Sequence, residues 1–294
     1  CEFQSTYRWI LTGTPIQNKK NDIVNLLNFV GIPSNIAKNN LEEFINKYVL
    51  RRTKEILFNT TFTDYEIINH QCPFATKKEQ NIYKAIQTDA VKEILESENE
   101  NKLNLLIIEL ILRLRQATIH PSIAIKSLYK KFPDENRDNK LSFNDISTKI
   151  QKLREKIKES SGLSLVFCHF HDEMELIKKY LGEYDINSEI YNGSMSIQKR
   201  EEIINKFKIE NTKPKYLFKN GKLEKMPNNA PTVLIIQIKA GGVGLNLQQF
   251  KNVFLCSPDW NPSNEIQAIA RSHRMGQKEN VLVHKFTLVK NSEF

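Results

Sequence analysis

The second half of the chain alternates short apolar runs with helical patterns, and this alternation constrains the fold more than any other feature. The apolar runs predict strands at residues 163–168, 188–191, 232–238, 253–256 and 281–288. Helical patterns at residues 172–181, 196–207 and 267–277 lie between them. Strands joined by helical crossovers form parallel sheets that are covered on both faces. We therefore predict an α/β fold for this half.

The first half is organised differently. Residues 8–11 (RWIL) read as a strand that ends in the Gly/Pro loop 12–18 (TGTPIQN). Helices are predicted at 22–30 and 41–48, a strand at 65–73, and a Leu- and Ile-rich helical hairpin at 76–97 and 102–117. The polar stretch 132–144 reads as a linker. In the second half, residues 213–225 carry an Asn220-Gly221 turn that predicts a lysine-rich β-hairpin.

Composition narrows the class of protein. Its 40% hydrophobic and 26% charged content is typical of a globular protein, and the net charge of +9 fits either a polyanionic partner or solubilising charge. The four cysteines are scattered, which indicates neither a disulfide framework nor a zinc site and favours a reducing compartment. No apolar run in the sequence reaches transmembrane length, and no signal-peptide pattern is present.

The stretch 267–277 (QAIARSHRMGQ) carries the most chemistry. It follows Asn261 and Ser263, two candidate helix caps, and a helix here would place Gln267, Arg271 and Arg274 on one face. Paired guanidinium groups form a fork for phosphate oxygens. The alternative is a solvated basic helix face.

Glycines after the strand at 232–238 form a second candidate site. Backbone amides at Gly241, Gly242 and Gly244 can approach a phosphate closely, although a tight strand-to-helix turn needs glycine as well. The chain contains no GxxxxGK[ST] phosphate loop. The acidic pair Asp172-Glu173 is interpreted as a helix cap and not as a metal ligand pair.

The features described above belong to a series of motifs that occur in a set order along the chain. They are LTGTPIQN at 11–18, LRRT at 50–53, LRLRQ at 112–116 with His120-Pro121, VF at 166–167, GSM at 193–195, KAGGVGLN at 239–246, WNP at 260–262 and ARSHRMGQ at 270–277. This order closely resembles the Swi/Snf-type helicase-like ATPases of helicase superfamily two. The wording of LRLRQ and SHRMGQ leans toward the damage-tolerance branch, but without the RING insert of that branch. The resemblance implies two RecA-like lobes that close over ATP and move along duplex DNA.

The resemblance also implies roles for individual residues. Arg271 and Arg274 match catalytic arginine fingers that reach the γ-phosphate, and Gln267, Gly242 and Gly244 match nucleotide-binding positions. Further positions match those that couple the nucleotide cleft to DNA or contact the DNA track: Thr12, Gly13, Thr14, Asn18, Lys239, Gly241, Asn246 and Trp260. The acidic residue that often precedes the first finger is Ala270 here.

The implied domain organisation is the C-terminal part of a first RecA-like lobe (1–60), a helical protrusion from that partial lobe (61–131), a linker (132–146) and a second RecA-like lobe (147–294). The family's phosphate loop and DExH element precede LTGTPIQN, so we expect a fragment that is inactive alone. ATP and Mg²⁺ would act in the full-length parent, with the metal ligands outside this chain.

The expected function is therefore the C-terminal half of an ATP-dependent double-stranded-DNA translocase of the chromatin-remodelling or DNA-repair type. Its partners would be duplex DNA and nucleosomes or other DNA-bound protein, with no membrane, in a nuclear or viral, intracellular setting. Two alternatives stand beside it. One is a non-catalytic nucleic-acid-binding or scaffold module, and the other is a strand-separating helicase of the same superfamily.

Overall fold

The computed structural model describes residues 4–16, 19–52, 64–95, 100–131, 142–208, 216–219, 222–225, 232–240 and 245–289. The chain folds into two compact units. The first comprises Cys1–Phe62 and Asp259–Gln267, and the second comprises Thr63–Pro258 and Ala268–Phe294. In the described part of the chain, no helix is both long enough and apolar enough to cross a membrane.

The first unit contains a small helical core. Its helices are α1 (Asn21–Phe29), α2 (Ser34–Asn39) and α3 (Leu41–Tyr48), and Val24, Leu27 and Ala37 are buried between them. The strand predicted at 8–11 is wrong, because residues 4–16 form no strand and the Leu11 side chain is fully exposed. A strand needs a hydrogen-bonded neighbour, and none of the described strands pairs with this segment.

The second unit is built on a six-stranded sheet. Its strands are β1 (Tyr65–Pro73), β2 (Ser164–Cys168), β3 (Ser188–Tyr191), β6 (Val233–Gln237), β7 (Asn252–Leu255) and β8 (Val281–Val289). They lie in the order β1-β8-β7-β2-β6-β3, and all neighbouring strands are parallel. The predicted hairpin is confirmed as the antiparallel pair β4 (Tyr216–Lys219) and β5 (Lys222–Lys225).

Helices cover both faces of this sheet. The helices of the second unit are α4 (Lys77–Leu95), α5 (Glu100–Ile119), α6 (Pro121–Lys131), α7 (Thr148–Glu159), α8 (His171–Gly182) and α9 (Ile197–Lys206), together with the end of α10 (Pro262–Ser272). Val166 packs in a core with α7 and α8, whereas Phe167 packs in a second core with α9 and Ala268. All five residues of β2 are buried, as a strand between two helical layers requires. The predicted α/β class is confirmed.

Strand β1 differs from the predicted domain plan, which placed residues 61–131 in a helical protrusion of the first lobe. The strand pairs with β8 along its whole length, from Tyr65 opposite Val281 to Pro73 opposite Val289, and forms an edge of the sheet. Helices α4, α5 and α6 also belong to the second unit, where they share a core around Ile82, Ala117 and Ala124. This pairing could not be predicted from local sequence patterns, because β1 and β8 lie far apart in the sequence. The rest of the domain division stays a proposal.

The predicted linker at 132–146 ends in ordered structure. Residues 132–141 lie outside the described residues, but the Phe143 side chain is only 2% exposed and packs edge-on against His120 with ring centroids 5.2 Å apart. Ser147 then starts α7, a helix that we did not predict. Its hydroxyl donates to the Ile119 carbonyl at 2.6 Å and accepts from the Ile150 amide at 3.4 Å. This cap joins the end of α5 to the start of α7.

His120 should make stability depend on pH. Burial lowers the pKa of its imidazole from 6.5 to about 4, and the Ser122 hydroxyl lies 2.7 Å from its Nδ1. The unfolded chain therefore binds the proton first, so the stabilisation is complete above about pH 6.5 and is lost as the pH falls toward about 4. We expect the stability difference between the unmodified protein and His120→Gln to shrink by about 2 kcal/mol between pH 7 and pH 4.5. Urea unfolding at several pH values measures it, and a constant difference would contradict the assignment.

Candidate functional site

Helix α10 begins where local sequence predicted its cap. The Asn261 side chain accepts a hydrogen bond from the Ser263 amide at 2.9 Å, with Pro262 as the first helical residue. The Asp259 carboxylate accepts from the Asn261 amide, also at 2.9 Å, and the nearly buried Glu265 accepts from the Asp259 amide at 2.8 Å. The Asn261 cap is confirmed. The turn before the helix is thus fixed by its own side chains.

Three of the predicted site residues meet within the first unit. The Gln267 side-chain amide donates to the Thr14 hydroxyl at 3.0 Å, and the Thr14 backbone amide donates to the Thr12 hydroxyl at 3.1 Å. Gly13 between the threonines is exposed, as is the Trp260 side chain at 59%. The TGT loop and the first polar residue of the ARSHRMGQ region are therefore joined by a direct hydrogen bond.

Arg274 lies outside helix α10, which corrects the prediction that it shares one helical face with Gln267 and Arg271. The helix ends at Ser272, and the Arg274 amide donates back to the Ser272 carbonyl in a turn. Tertiary contacts impose this end. Gly276 adopts φ +93°, a conformation that favours glycine, and the Gln248 side chain donates to the Met275 carbonyl.

Arg271 and Arg274 nevertheless influence each other in the second unit. Burial, and secondly the positive charge of Arg274, lower the pKa of the Arg271 guanidinium. The Arg274 side chain also donates to the Leu245 carbonyl at 3.4 Å, and the Arg271 carbonyl accepts from the Leu247 amide at 3.2 Å. Two neighbouring cations repel each other, and an anion between them would relieve that repulsion. The arrangement is suited to a phosphate group.

Two of the remaining predicted residues flank the glycine-rich segment. Lys239 and Asn246 are exposed on either side of it, and the Asn246 side chain accepts from the Gln248 amide at 3.3 Å. Other predicted site residues lie outside the described residues, namely Asn18, Gly241, Gly242 and Gly244. Their roles and those of the other site residues stay predictions.

Sequence reasoning missed a buried polar cluster at the carboxyl ends of β2 and β7. Glu173 is fully buried, and this burial raises the pKa of its carboxyl group to about 7. Its carboxylate accepts from the amides of His169 and Phe170 at 2.8 and 3.2 Å, which confirms its predicted capping role. Lys149 is 3% exposed, and burial lowers the pKa of its ammonium group. A charged residue in the lysine-rich sequence of α7 gave no signal of such burial.

Comparison with known protein families gives matches to two domains, one after the other along the chain. The SNF2-related domain matches residues 1–39 and 34–123, and the helicase conserved C-terminal domain matches residues 148–276. Together they include the TGT loop, the LRLRQ motif, the glycine-rich segment and both arginines.

Two individual proteins also match almost the whole chain. The CHD3-type chromatin-remodeling factor CHR7 of Arabidopsis thaliana is 28% identical over 97% of this chain and 23% of its own length. The probable global transactivator of Orgyia pseudotsugata multicapsid polyhedrosis virus is 25% identical over 97% of this chain and 56% of its own length. The chain thus spans only part of these curated relatives.

A solved structure has the same fold. The Sulfolobus solfataricus SWI2/SNF2 ATPase core in complex with dsDNA aligns with a TM-score of 0.55 at 24% identity, and covers 95% of this chain and 57% of its own. Its likeness supports the RecA-like arrangement of the sheet. With both domain matches in the order that the motifs predicted, the chain belongs to the Swi/Snf-type, SNF2-related family of helicase-like ATPases.

Proposed function

We propose that this chain is the C-terminal half of an ATP-dependent double-stranded-DNA translocase, and that it supplies the arginine fingers and part of the DNA track. The observation that carries the proposal is that Arg271 and Arg274, at and just after the end of α10, are both hydrogen-bonded to residues 245–247, which follow the glycine-rich segment. Phosphoryl transfer is catalysed mainly by positioning and by neutralising the charge of the transferred group. The guanidinium groups of Arg271 and Arg274 would provide that chemistry.

ATP and Mg²⁺ are the cofactors that this proposal requires. Arg271 and Arg274 contribute guanidinium donors, a type of group that suits phosphate oxygens, and the family resemblance assigns the γ-phosphate of ATP to them. Mg²⁺, when bound, neutralises charge on the phosphate oxygens. We place the metal ligands and the phosphate loop elsewhere in the full-length parent.

The hydrogen bond from Gln267 to Thr14 supports a coupling role for residues 12–14. It ties the TGT loop to the helix that leads to Arg271. A change of nucleotide state that displaced Gln267 would therefore move Thr14 or break the hydrogen bond to it. This is the role that the resemblance gives Thr12, Gly13 and Thr14.

Duplex DNA is the proposed partner, alone or with bound protein such as nucleosomes. The net charge of +9 favours a polyanion, and a structural neighbour was solved with double-stranded DNA. The proposed contacts are Lys239, Asn246, Trp260, Asn18 and Gly241. Among the relatives are a chromatin-remodelling factor and a viral protein, so we propose action in the nucleus or during viral infection, in remodelling or repair.

The primary test is the rate of ATP hydrolysis with and without duplex DNA. It compares this chain with the full-length parent. Turnover by the parent only when duplex is present, with no turnover by this chain, is the expected result. A parent that binds DNA but never hydrolyses ATP would favour a non-catalytic scaffold. Unwinding of a plain duplex, in place of triplex displacement, would favour a strand-separating helicase.

DNA affinity should fall steeply with salt and depend little on sequence, because such a motor contacts phosphates. For about five phosphate contacts, the logarithm of the affinity should fall with the logarithm of salt concentration at a slope of about −4 to −5. Fluorescence anisotropy with several duplexes of equal length, between about 50 and 200 mM salt, measures the slope. A flat salt dependence, or strong preference for one duplex, would contradict the proposed mode of binding.

A further inference from the structure

Side chains from three elements hold three successive carbonyl groups immediately after β7. Lys149 of α7, His169 of the β2–α8 loop and Arg115 of α5 lie against the carbonyl oxygens of residues 256, 257 and 258 in that order. The donor–acceptor distances are 3.1 Å from Lys149 Nζ, 3.2 Å from His169 Nε2 and 2.7 Å from Arg115 Nη2. We call these three side chains the carbonyl clamp. It lies entirely within the second unit.

The clamp uses more buried charge than is needed to supply hydrogen-bond donors to the backbone carbonyl groups. Cys256 and Ser257 are buried, and a neutral donor would suffice for each of their carbonyls, whereas Pro258 is exposed and water could satisfy its carbonyl. Here two of the donors carry positive charge, and Lys149 is almost completely buried, which costs desolvation. Burial is the main cause that lowers the pKa of Lys149, and attraction to Glu173, whose own pKa burial raises to about 7, offsets only part of that cost. Glu173 also accepts from the backbone amide of His169, the third member of the clamp.

The clamped carbonyls lie between the sheet and helix α10. Residues 256–258 are where the backbone leaves the sheet, directly before the Asp259–Asn261 turn that starts α10. Arg271 and Arg274 follow on the same continuous segment. Arg115 belongs to the LRLRQ motif, so the clamp also connects the helical hairpin to this exit from the sheet.

We propose that Arg115, Lys149 and His169 are positioning residues for the two arginines, which they serve by fixing the backbone at residues 256–258. The expected effect on ATP turnover rests on the proposed function. The claim that these side chains fix the backbone at residues 256–258 does not. None of the three needs to contact nucleotide or DNA. Loss of the clamp would let the segment that leads to α10 shift, and a displacement of about 1 Å can cost a reaction up to about a hundredfold in rate.

The test compares Arg115→Met with Arg113→Met in the full-length protein. Both arginines lie on α5. Arg113 is buried and pairs with Glu109 of the same helix, whereas Arg115 is half-buried, so Arg113→Met controls for damage to the hairpin. Hydrogen exchange of peptides covering residues 256–262 should become faster in Arg115→Met and stay unchanged in Arg113→Met. ATP turnover should fall at least about tenfold in kcat for Arg115→Met alone, with KM for ATP within about twofold.

His169 provides a second pair of variants in case Arg115→Met fails to fold. Loss of the donor in His169→Leu should accelerate the same exchange and lower kcat, whereas His169→Gln, which keeps a side-chain N–H group, should restore both. Equal exchange in all variants, or variants that lose thermal stability without any change in kcat at a temperature where they are folded, would overturn the proposal. An unmodified parent without ATPase activity would refute the proposed function, and the exchange data would still decide the clamp.

Discussion

Arg274→Ala in the full-length protein is expected to abolish DNA-stimulated ATP hydrolysis while duplex affinity stays nearly unchanged. The reason is that the guanidinium neutralises charge that develops only during phosphoryl transfer. Removing an arginine finger can cost a factor of about 10³ or more in turnover. Steady-state ATPase assays at saturating duplex measure the loss, and anisotropy with labelled duplex measures the affinity.

Arg154→Ala is the matched control for this variant. It removes a cation from the same unit, where Arg154 stacks on the Tyr184 ring at 3.7 Å, and it leaves the end of α10 untouched. Its turnover is expected to remain near that of the unmodified protein. Full activity in Arg274→Ala would remove the finger assignment. Equal losses in both variants would point to a general effect of net charge on DNA binding.

Phe254→Ala is expected to lower the free energy of unfolding of the second unit by about 3–5 kcal/mol. Phe254 lies on β7, is fully buried, and stacks on the rings of His284 and Phe286 with centroids 4.7 and 6.4 Å apart. Truncation removes these contacts and leaves a cavity between sheet and helices, where the close-packed neighbours can collapse only partly.

Urea or thermal unfolding measures this loss. Leu105→Ala is a suitable comparison, because Leu105 is 69% exposed on α5 and both residues favour helices. It should change stability by no more than about 0.5 kcal/mol. Comparable losses in the two variants would mean that the sheet core does not limit the stability of the unit.

Local features of the structure could be predicted from the sequence. The buried runs around Val166 and Ile235 were recognisable as strands because a central parallel strand is apolar throughout. The cap at Asn261 was recognisable because its hydrogen bond to Ser263 spans two residues. In each case the residues that determine the feature are neighbours in sequence.

Features that depend on distant residues could not be predicted. Arg274 leaves the helix because of Gln248, which contacts the loop around Gly276 from another segment. Lys149 resembles the other lysines of α7 in sequence. Only the fold reveals that its ammonium group donates a hydrogen bond to the Cys256 carbonyl. Sequence patterns therefore predicted features formed by neighbouring residues but not the contacts between distant segments.

The pairing of β1 with β8 has a consequence for biosynthesis. The first strand of the sheet to leave the ribosome, β1, pairs with the last, since Tyr65 lies opposite Val281. A nascent chain must therefore carry β1 without its neighbour until almost the whole second unit has been translated. Closing so long a loop is costly in entropy and slows folding. Exposed strand edges also recruit other chains, so translation that stops before residue 281 should release an aggregation-prone product.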